Sequence, residues 1–296
     1  MGRNSIAIGL LLFFAVFTTT PVQAQHTGSA PSDSTQHDPH RPVYHINYWI
    51  DAPIIAVGAV SGAVWLNYKK PLITDAELNA RNVNDVPSFD RISLHQNIGL
   101  VPTWDKYASA GQLIGAAMPV LLLADPSIRA DWLPVLTLGL EANMAALIIF
   151  TLSPLGPRFI DRYRPLVYYT NAAQYGIDRN DGINKNSFYS GHVASVTTSA
   201  FFMAKVYCDY HPDANPYIVY ALAAVPSLGM GVIRFMTLDH FPSDIAVGLG
   251  VGIACGVLVP QLHRVESDNL SMGFYSSPEM GTGLALRWRL PDLASR

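Results

Sequence analysis

Six apolar runs, 52–67, 109–124, 132–152, 191–207, 216–236 and 243–260, alternate with polar connections along the chain. Their lengths sit near the lower limit for crossing hydrocarbon, about 17 residues. Small residues recur within them (Gly58, Gly62; Gly248, Gly250, Gly252), and small residues let membrane helices approach closely. Glu141 and Asn143 stand well inside the third run, so that helix must turn a face towards other helices rather than lipid. There is no internal repeat and no β/α alternation. The pattern predicts an all-α, membrane-embedded bundle of about six helices over 45–263, with a buried soluble helical bundle as the competing architecture. The connection 68–108 reads as long and polar, with a short helix near Asp75–Asn82.

The two ends read differently. Residues 1–25 have the form of a secretory signal: Arg3, an apolar centre from Ile6 to Phe17, and the small-residue site Val22-Gln-Ala24. An uncleaved first anchor is the alternative. Residues 26–44 are rich in His, Ser, Pro, Asp and Gln and make a flexible leader, in which His26, His37 and His40 are scattered rather than set out as a metal site. The tail, 264–296, carries alternating stretches around Met272 and Ala285 that suit a short β-hairpin.

Composition agrees with the membrane reading. Half of the residues are hydrophobic and 14% are charged, against about 25% charged in a soluble domain. A net charge of −3 leaves no basic footprint for nucleic acid. Cys208 and Cys255 have no metal-ligand spacing, and Cys255 lies within an apolar run as a buried thiol would.

Three polar clusters stand at the ends of apolar runs. Arg234-Phe-Met-Thr-Leu-Asp-His240-Phe-Pro-Ser-Asp244 joins the fifth run to the sixth. An arginine can clamp phosphate oxygens, a neutral imidazole can attack phosphorus, and a carboxylate can hold the imidazole's other nitrogen. Ser187-Phe-Tyr-Ser190-Gly191-His192 leads into the fourth run. Serine and glycine before a helix leave N–H groups as an anion cradle, and His192 stands in the first turn, placed to protonate a departing oxygen. Arg158, Arg162 and Arg164-Pro165 follow the third run and can hold a phosphate by forked hydrogen bonds. Each cluster alone has a plain alternative: an interfacial charge group, a serine cap, a topology signal. Parity unites them. If consecutive helices run up and down, all of these clusters lie on one face of the bundle.

In order and spacing these residues resemble the phosphatidic acid phosphatase type 2 superfamily of lipid phosphate phosphatases, bacterial acid phosphatases and vanadium haloperoxidases. Arg164-Pro165, Ser190-Gly191-His192 and Arg234…His240…Asp244 match its signature. Pro157 stands where that signature has lysine, Tyr189 where it has proline and Ile233 where it has serine. Arg158 is the candidate substitute for the lysine, and Arg162 the second. The resemblance implies that His240 attacks phosphorus, Asp244 orients its imidazole, and His192 protonates the leaving alcohol and then activates water. Arg164, Arg234, Ser190 and the Gly191 backbone would neutralise the equatorial oxygens, with Arg158 assisting. It implies no metal and no cofactor, a lipid phosphate substrate and a site facing the periplasm or exterior. A secreted acid phosphatase, a haloperoxidase and an inactive headgroup-binding membrane protein are the alternatives. A cleaved signal and an outward site agree only if one run fails to cross, and 52–67, as short as any and the most polar-flanked, is the choice.

Overall fold

The computed structural model describes residues 42–265 and the strand backbones 270–277 and 281–288. The expected signal and nearly all of the leader lie outside the described residues. Eight α-helices follow in order: α1 Tyr48–Asn67, α2 Asp75–Asn79, α3 Val101–Ala117, α4 Pro126–Ala130, α5 Trp132–Leu152, α6 Gly191–Tyr210, α7 Pro216–Met236 and α8 Pro242–His263. After them β1 (Leu270–Ser277) pairs antiparallel with β2 (Gly281–Trp288), setting Met272 opposite Leu286. The chain is therefore a helical, membrane-embedded bundle with a C-terminal hairpin.

Local chemistry sets the helix starts. Asn47 accepts from the Trp49 N–H at the head of α1, and Asn215 caps α7 ahead of Pro216. Each satisfies N–H groups that a helix leaves free at its start. The second apolar run marks only part of its helix. α3 is flanked by 3₁₀ turns into one helical stretch, Ile98–Ala124, so 101–108 are helical and not a connection. Asp105 and Lys106 there are exposed, and the hydropathy pattern registers only the lipid-facing portion.

Among the described residues, five stretches are long and apolar enough to cross a membrane: α1, Ile98–Ala124, α5, α7 and α8. Their outer surfaces are apolar, with Leu66 83%, Leu113 75% and Leu222 65% exposed. The fourth run, α6, is not among the five, for a physical reason. It packs against α3, α5, α7 and α8, and neighbours rather than lipid cover its Thr197, Thr198, Ser199 and Lys205. Asn143 on α5 donates to Ser199 Oγ at 3.1 Å, and Ser195 Oγ donates back to Asn143 Oδ1 at 3.3 Å.

The close approach of α8 to α6 rests on glycines four residues apart. A Cβ on Gly252 would lie 2.5 Å from Thr197 Cβ and 2.6 Å from the Ala194 carbonyl oxygen, and one on Gly248 2.7 Å from the Ser190 carbonyl. Gly250 faces open space and takes no part in this stripe. Gly252→Ala should cost about 1–3 kcal/mol through overpacking and lower activity by moving Ser190 and His192 relative to His240. Gly250→Ala should leave thermal stability and activity unchanged, and equal losses in the two variants would contradict this packing.

Six helices join two faces. On one, the chain entering α1 meets the end of α8: the His45 N–H donates to the His263 carbonyl at 2.8 Å, and Tyr44 bridges to Arg264. On the other, the residues after α1 meet the 153–190 connection: Lys70 Nζ donates to the Ile160 carbonyl at 3.0 Å, and the Ile73 N–H to the Asn180 carbonyl at 2.7 Å. Helix α1 therefore runs from face to face like the rest. The second face is capped by connections with a small core of their own, including Ile73, Leu166, Val167 and Leu238. Burying each of these side chains contributes about 1.5–3 kcal/mol.

Candidate active site

The capped face holds the three clusters. Helix α7 ends at Met236, and Leu238 turns the chain with φ 56°, a left-handed conformation that a leucine adopts only under constraint. The constraint is visible. Leu238 is fully buried, its N–H donates to the Phe235 carbonyl, and its own carbonyl accepts from the Leu166 N–H at 3.1 Å. This turn points Asp239 and His240 inward, both buried. Residues 162–164 lie in extended form beside 184–187 and lead into a 3₁₀ turn, Pro165–Tyr168, that meets Leu238. The Arg162 N–H donates to the Lys185 carbonyl at 3.0 Å, Arg164 N–H to Asn184 at 2.8 Å and Ser187 N–H to Arg162 at 2.9 Å. Pro165 favours this extension of the residue before it.

Two ion networks result. In the first, Asp239 is shared by Arg164 and Arg234, whose Nη2 lies 2.7 Å from Asp239 Oδ2. Burial opposes the charged carboxylate, but the two guanidiniums overcome it and hold Asp239 well below the usual carboxylate range. In the second, Arg162 bridges Asp244 and Asp90, with its Nη2 2.6 Å from Asp90 Oδ2. Asp90 also takes the Ser243 N–H at 3.0 Å and its hydroxyl at 2.8 Å.

His240 Nδ1 lies 2.6 Å from the Ser187 carbonyl oxygen. That oxygen only accepts, so the ring proton sits on Nδ1 and the lone pair on Nε2. Burial, then the Arg234 and Arg164 charges, hold the imidazole well below the ordinary histidine range, and it is neutral at pH 7. The charges acting on His192, in the first turn of α6, are Arg234, Asp239 and Arg164, the same three that act on His240.

Asp244 sits elsewhere than expected. Its Oδ2 accepts from Ser187 Oγ at 2.6 Å and from the Phe241 N–H at 2.9 Å, and its Oδ1 is taken by Arg162. The geometry replaces the expected Asp244–imidazole bond with a two-step link: Asp244 holds Ser187, and the Ser187 carbonyl holds His240. The arginine cluster also divides. Arg158 is exposed and lies over the Tyr68 and Phe159 rings at 5.4 and 5.9 Å. Arg162 is committed to two carboxylates, and Arg164 joins Arg234. Of the two candidates to replace the missing lysine, Arg162 reaches the site's carboxylates and Arg158 does not.

Four groups here were missed by motif reading. Asp239, Ser187 and Ser243 lie inside the marked stretches, where nothing local sets them apart. Asp90 sits in a connection with nothing to distinguish it from its polar neighbours.

At the site, Arg164 Nε, Arg234 Nε and Ser190 Oγ are buried without a hydrogen-bond partner, as are Asn186 Oδ1 and Tyr189 Oη in the adjoining segment. Ser190 makes no capping bond to the start of α6. A Cβ on Gly191 would lie 2.9 Å from the Phe150 ring, so glycine keeps this helix end close-packed and its N–H bare. Each unsatisfied buried donor costs about 1–3 kcal/mol, which is the signature of a site arranged for a ligand.

Fold and site together define a membrane-embedded helical protein with a pair of buried arginines around one carboxylate on one face. Residues 135–268, from within α5 through α8, match the family model of the PAP2 superfamily. That stretch holds every side chain of the two ion networks except Asp90, and the chain is similar there to a superfamily whose members are generally phosphatases. Comparison with curated proteins and with solved structures finds no significant match.

Proposed function

We propose that the chain hydrolyses a lipid phosphomonoester or pyrophosphate through a phosphohistidine on His240. The observation that carries this reading is the set of unpartnered buried donors, Arg164 Nε, Arg234 Nε and Ser190 Oγ, gathered with a neutral imidazole. Two guanidiniums against one Asp239 carboxylate leave a surplus positive charge for an anion. His240 Nε2 attacks phosphorus in line, and the bond to the leaving oxygen breaks as His192 protonates it. His192 then takes a proton from water, which cleaves the N–P bond and frees orthophosphate. Arg164, Arg234, Ser190 and the Gly191 N–H stabilise the charge on the equatorial oxygens. Asp244 acts through Ser187 as a positioning residue. The carboxylates Asp239, Asp244 and Asp90 are each engaged by arginine, so the proposed chemistry draws on charge and position.

The exposed apolar belt supports a lipid substrate over a soluble one and argues against a secreted, non-spanning form. Protein purified in detergent should release orthophosphate from at least one of phosphatidate, phosphatidylglycerol phosphate, a polyprenyl pyrophosphate or a lipid A phosphate. Its kcat/KM there should exceed that for a water-soluble monoester by about tenfold or more, as remote binding energy requires. No release from any of the four would favour an inactive headgroup binder.

Because α1 joins the two faces, the chain at Pro42–Asn47 and the catalytic face lie on opposite sides of the bilayer. A leader cleaved outside and a site facing outside exclude each other. The outward site implied by the family resemblance requires the chain ahead of α1 to stay on the cytoplasmic side. In a background with Cys208 and Cys255 replaced by serine, Pro42→Cys and Gln174→Cys should react with a membrane-impermeant label from opposite sides. Labelling of both from one side would overturn the six-crossing arrangement.

A further inference from the structure

At the face opposite the catalytic one, three side chains far apart in sequence meet: Asp51 in the first turn of α1, Glu141 within α5 and His263 at the end of α8. The backbone brings them together. The His45 N–H to His263 carbonyl bond and the Val265 N–H to Val43 carbonyl bond, 2.8 and 3.0 Å, fasten the entry to α1 against the exit from α8. Asp51 and Glu141 are almost wholly buried, 1% and 2% exposed.

The protonation pattern is informative. His263 Nδ1 lies 2.8 Å from the Val259 carbonyl oxygen, which places the ring proton there. Nε2 then faces Asp51 Oδ1 at 3.1 Å and Glu141 Oε2 at 3.6 Å with its lone pair. Glu141 Oε2 is buried and has no hydrogen-bond partner. A doubly protonated imidazole would serve Asp51 and still leave that oxygen unsatisfied, because one N–H donates well in one direction. A cation between the three serves all of them.

Spacing and donor type agree. One ligand atom from each residue lies within 4.8 Å of the other two. Ligands held about 2.1 Å from a tetrahedral ion stand about 3.4 Å apart, and the spacings from His263 Nε2 to Asp51 and Glu141, 3.1 and 3.6 Å, bracket that value. One imidazole nitrogen with two carboxylates suits a borderline divalent ion such as Zn2+. Ca2+ and Mg2+ take oxygen alone, and Cu+ takes thiolate. We propose that Asp51, Glu141 and His263 form a structural divalent transition-metal site that staples α1 to α5 and α8. Helix α1 has most to gain, since its packing partner is α5 and much of its surface faces outward. The inference does not depend on the phosphatase reading.

The test uses full-length protein without a polyhistidine tag, purified in detergent, stripped with chelator, incubated with Zn2+ alone and desalted. Wild type should retain one Zn2+ per chain. Its thermal midpoint should rise by about 5 °C or more at saturating metal. Glu141→Gln and His263→Ala should lose the bound metal and the shift, while phosphate release well below the midpoint stays as in wild type. Failure of the wild type to retain metal, an unmoved midpoint, or equal retention in the two variants would overturn the site. If a variant does not fold, the wild-type stoichiometry and midpoint decide alone.

Discussion

His240→Ala should lower kcat for phosphate release by on the order of 10⁴-fold or more, since loss of an essential group in a unit that acts together removes nearly all of its catalysis. His192→Ala should behave differently. With a pyrophosphate substrate, whose departing phosphate needs less help from an acid, the first step should still proceed and the second should stall. Acid-labile phosphate should then remain on the protein, absent from His240→Ala and from the double variant. Loss of activity in His192→Ala with no trapped phosphate would argue against a covalent path. His240 should also shape stability. Its folded-state pKa lies below the value of about 6.5 that it takes in an unfolded chain, so as pH falls below 6.5 the unfolded state gains a proton that the folded state refuses. Stability is lost in that direction. The wild-type thermal midpoint should therefore fall more steeply than that of His240→Ala from pH 6.5 towards pH 5.

Arg234→Gln should lower kcat/KM by about 10²–10³-fold, the usual loss when a preorganised donor to a developing oxyanion is removed. It should also destabilise the fold, because Asp239 would keep only Arg164 as its buried counter-charge, and breaking a buried pair outright costs about 3–5 kcal/mol. Arg164 offsets part of that here. Arg234→Lys separates the two effects. It keeps the charge beside Asp239 while losing the planar fork and its Nε donor, so stability should recover towards wild type while activity stays at least about tenfold down. If Arg234→Lys restores kcat/KM fully, Arg234 serves Asp239 and not the phosphate.

Comparison of particular elements shows which features were legible in the chain. The runs 132–152 and 216–236 coincide with α5 and α7 to the residue, because lipid on one side demands uninterrupted apolar character. The second run began late, since α3 and its flanking 3₁₀ turn project polar residues beyond the apolar zone. The glycine pattern was legible as small-residue packing, yet Gly250 proved idle, because which face of a helix meets a neighbour depends on the neighbour. At the site, His240, His192, Arg164, Arg234, Ser190 and Gly191 stand on the one face that parity gave them. The partner of each was not legible. Asp244 reaches Ser187 and Arg162 instead of the imidazole, and Arg158 points away.

The linear order of residues determined a helical bundle in a membrane, its two faces, and the set of arginines and imidazoles gathered on one of them. Such properties arise from hydropathy and helix period, which act over a few turns and need no knowledge of distant chain. Tertiary structure alone decided that Asp239 is shared between two arginines, that Asp90 reaches across from an unremarked connection, and that Asp51, Glu141 and His263 converge at the far face. Apart from Arg234–Asp239, those contacts join residues 72 to 212 positions apart. A buried charge is stabilised by whatever partner the packing delivers to it, and no local pattern in the chain encodes that delivery.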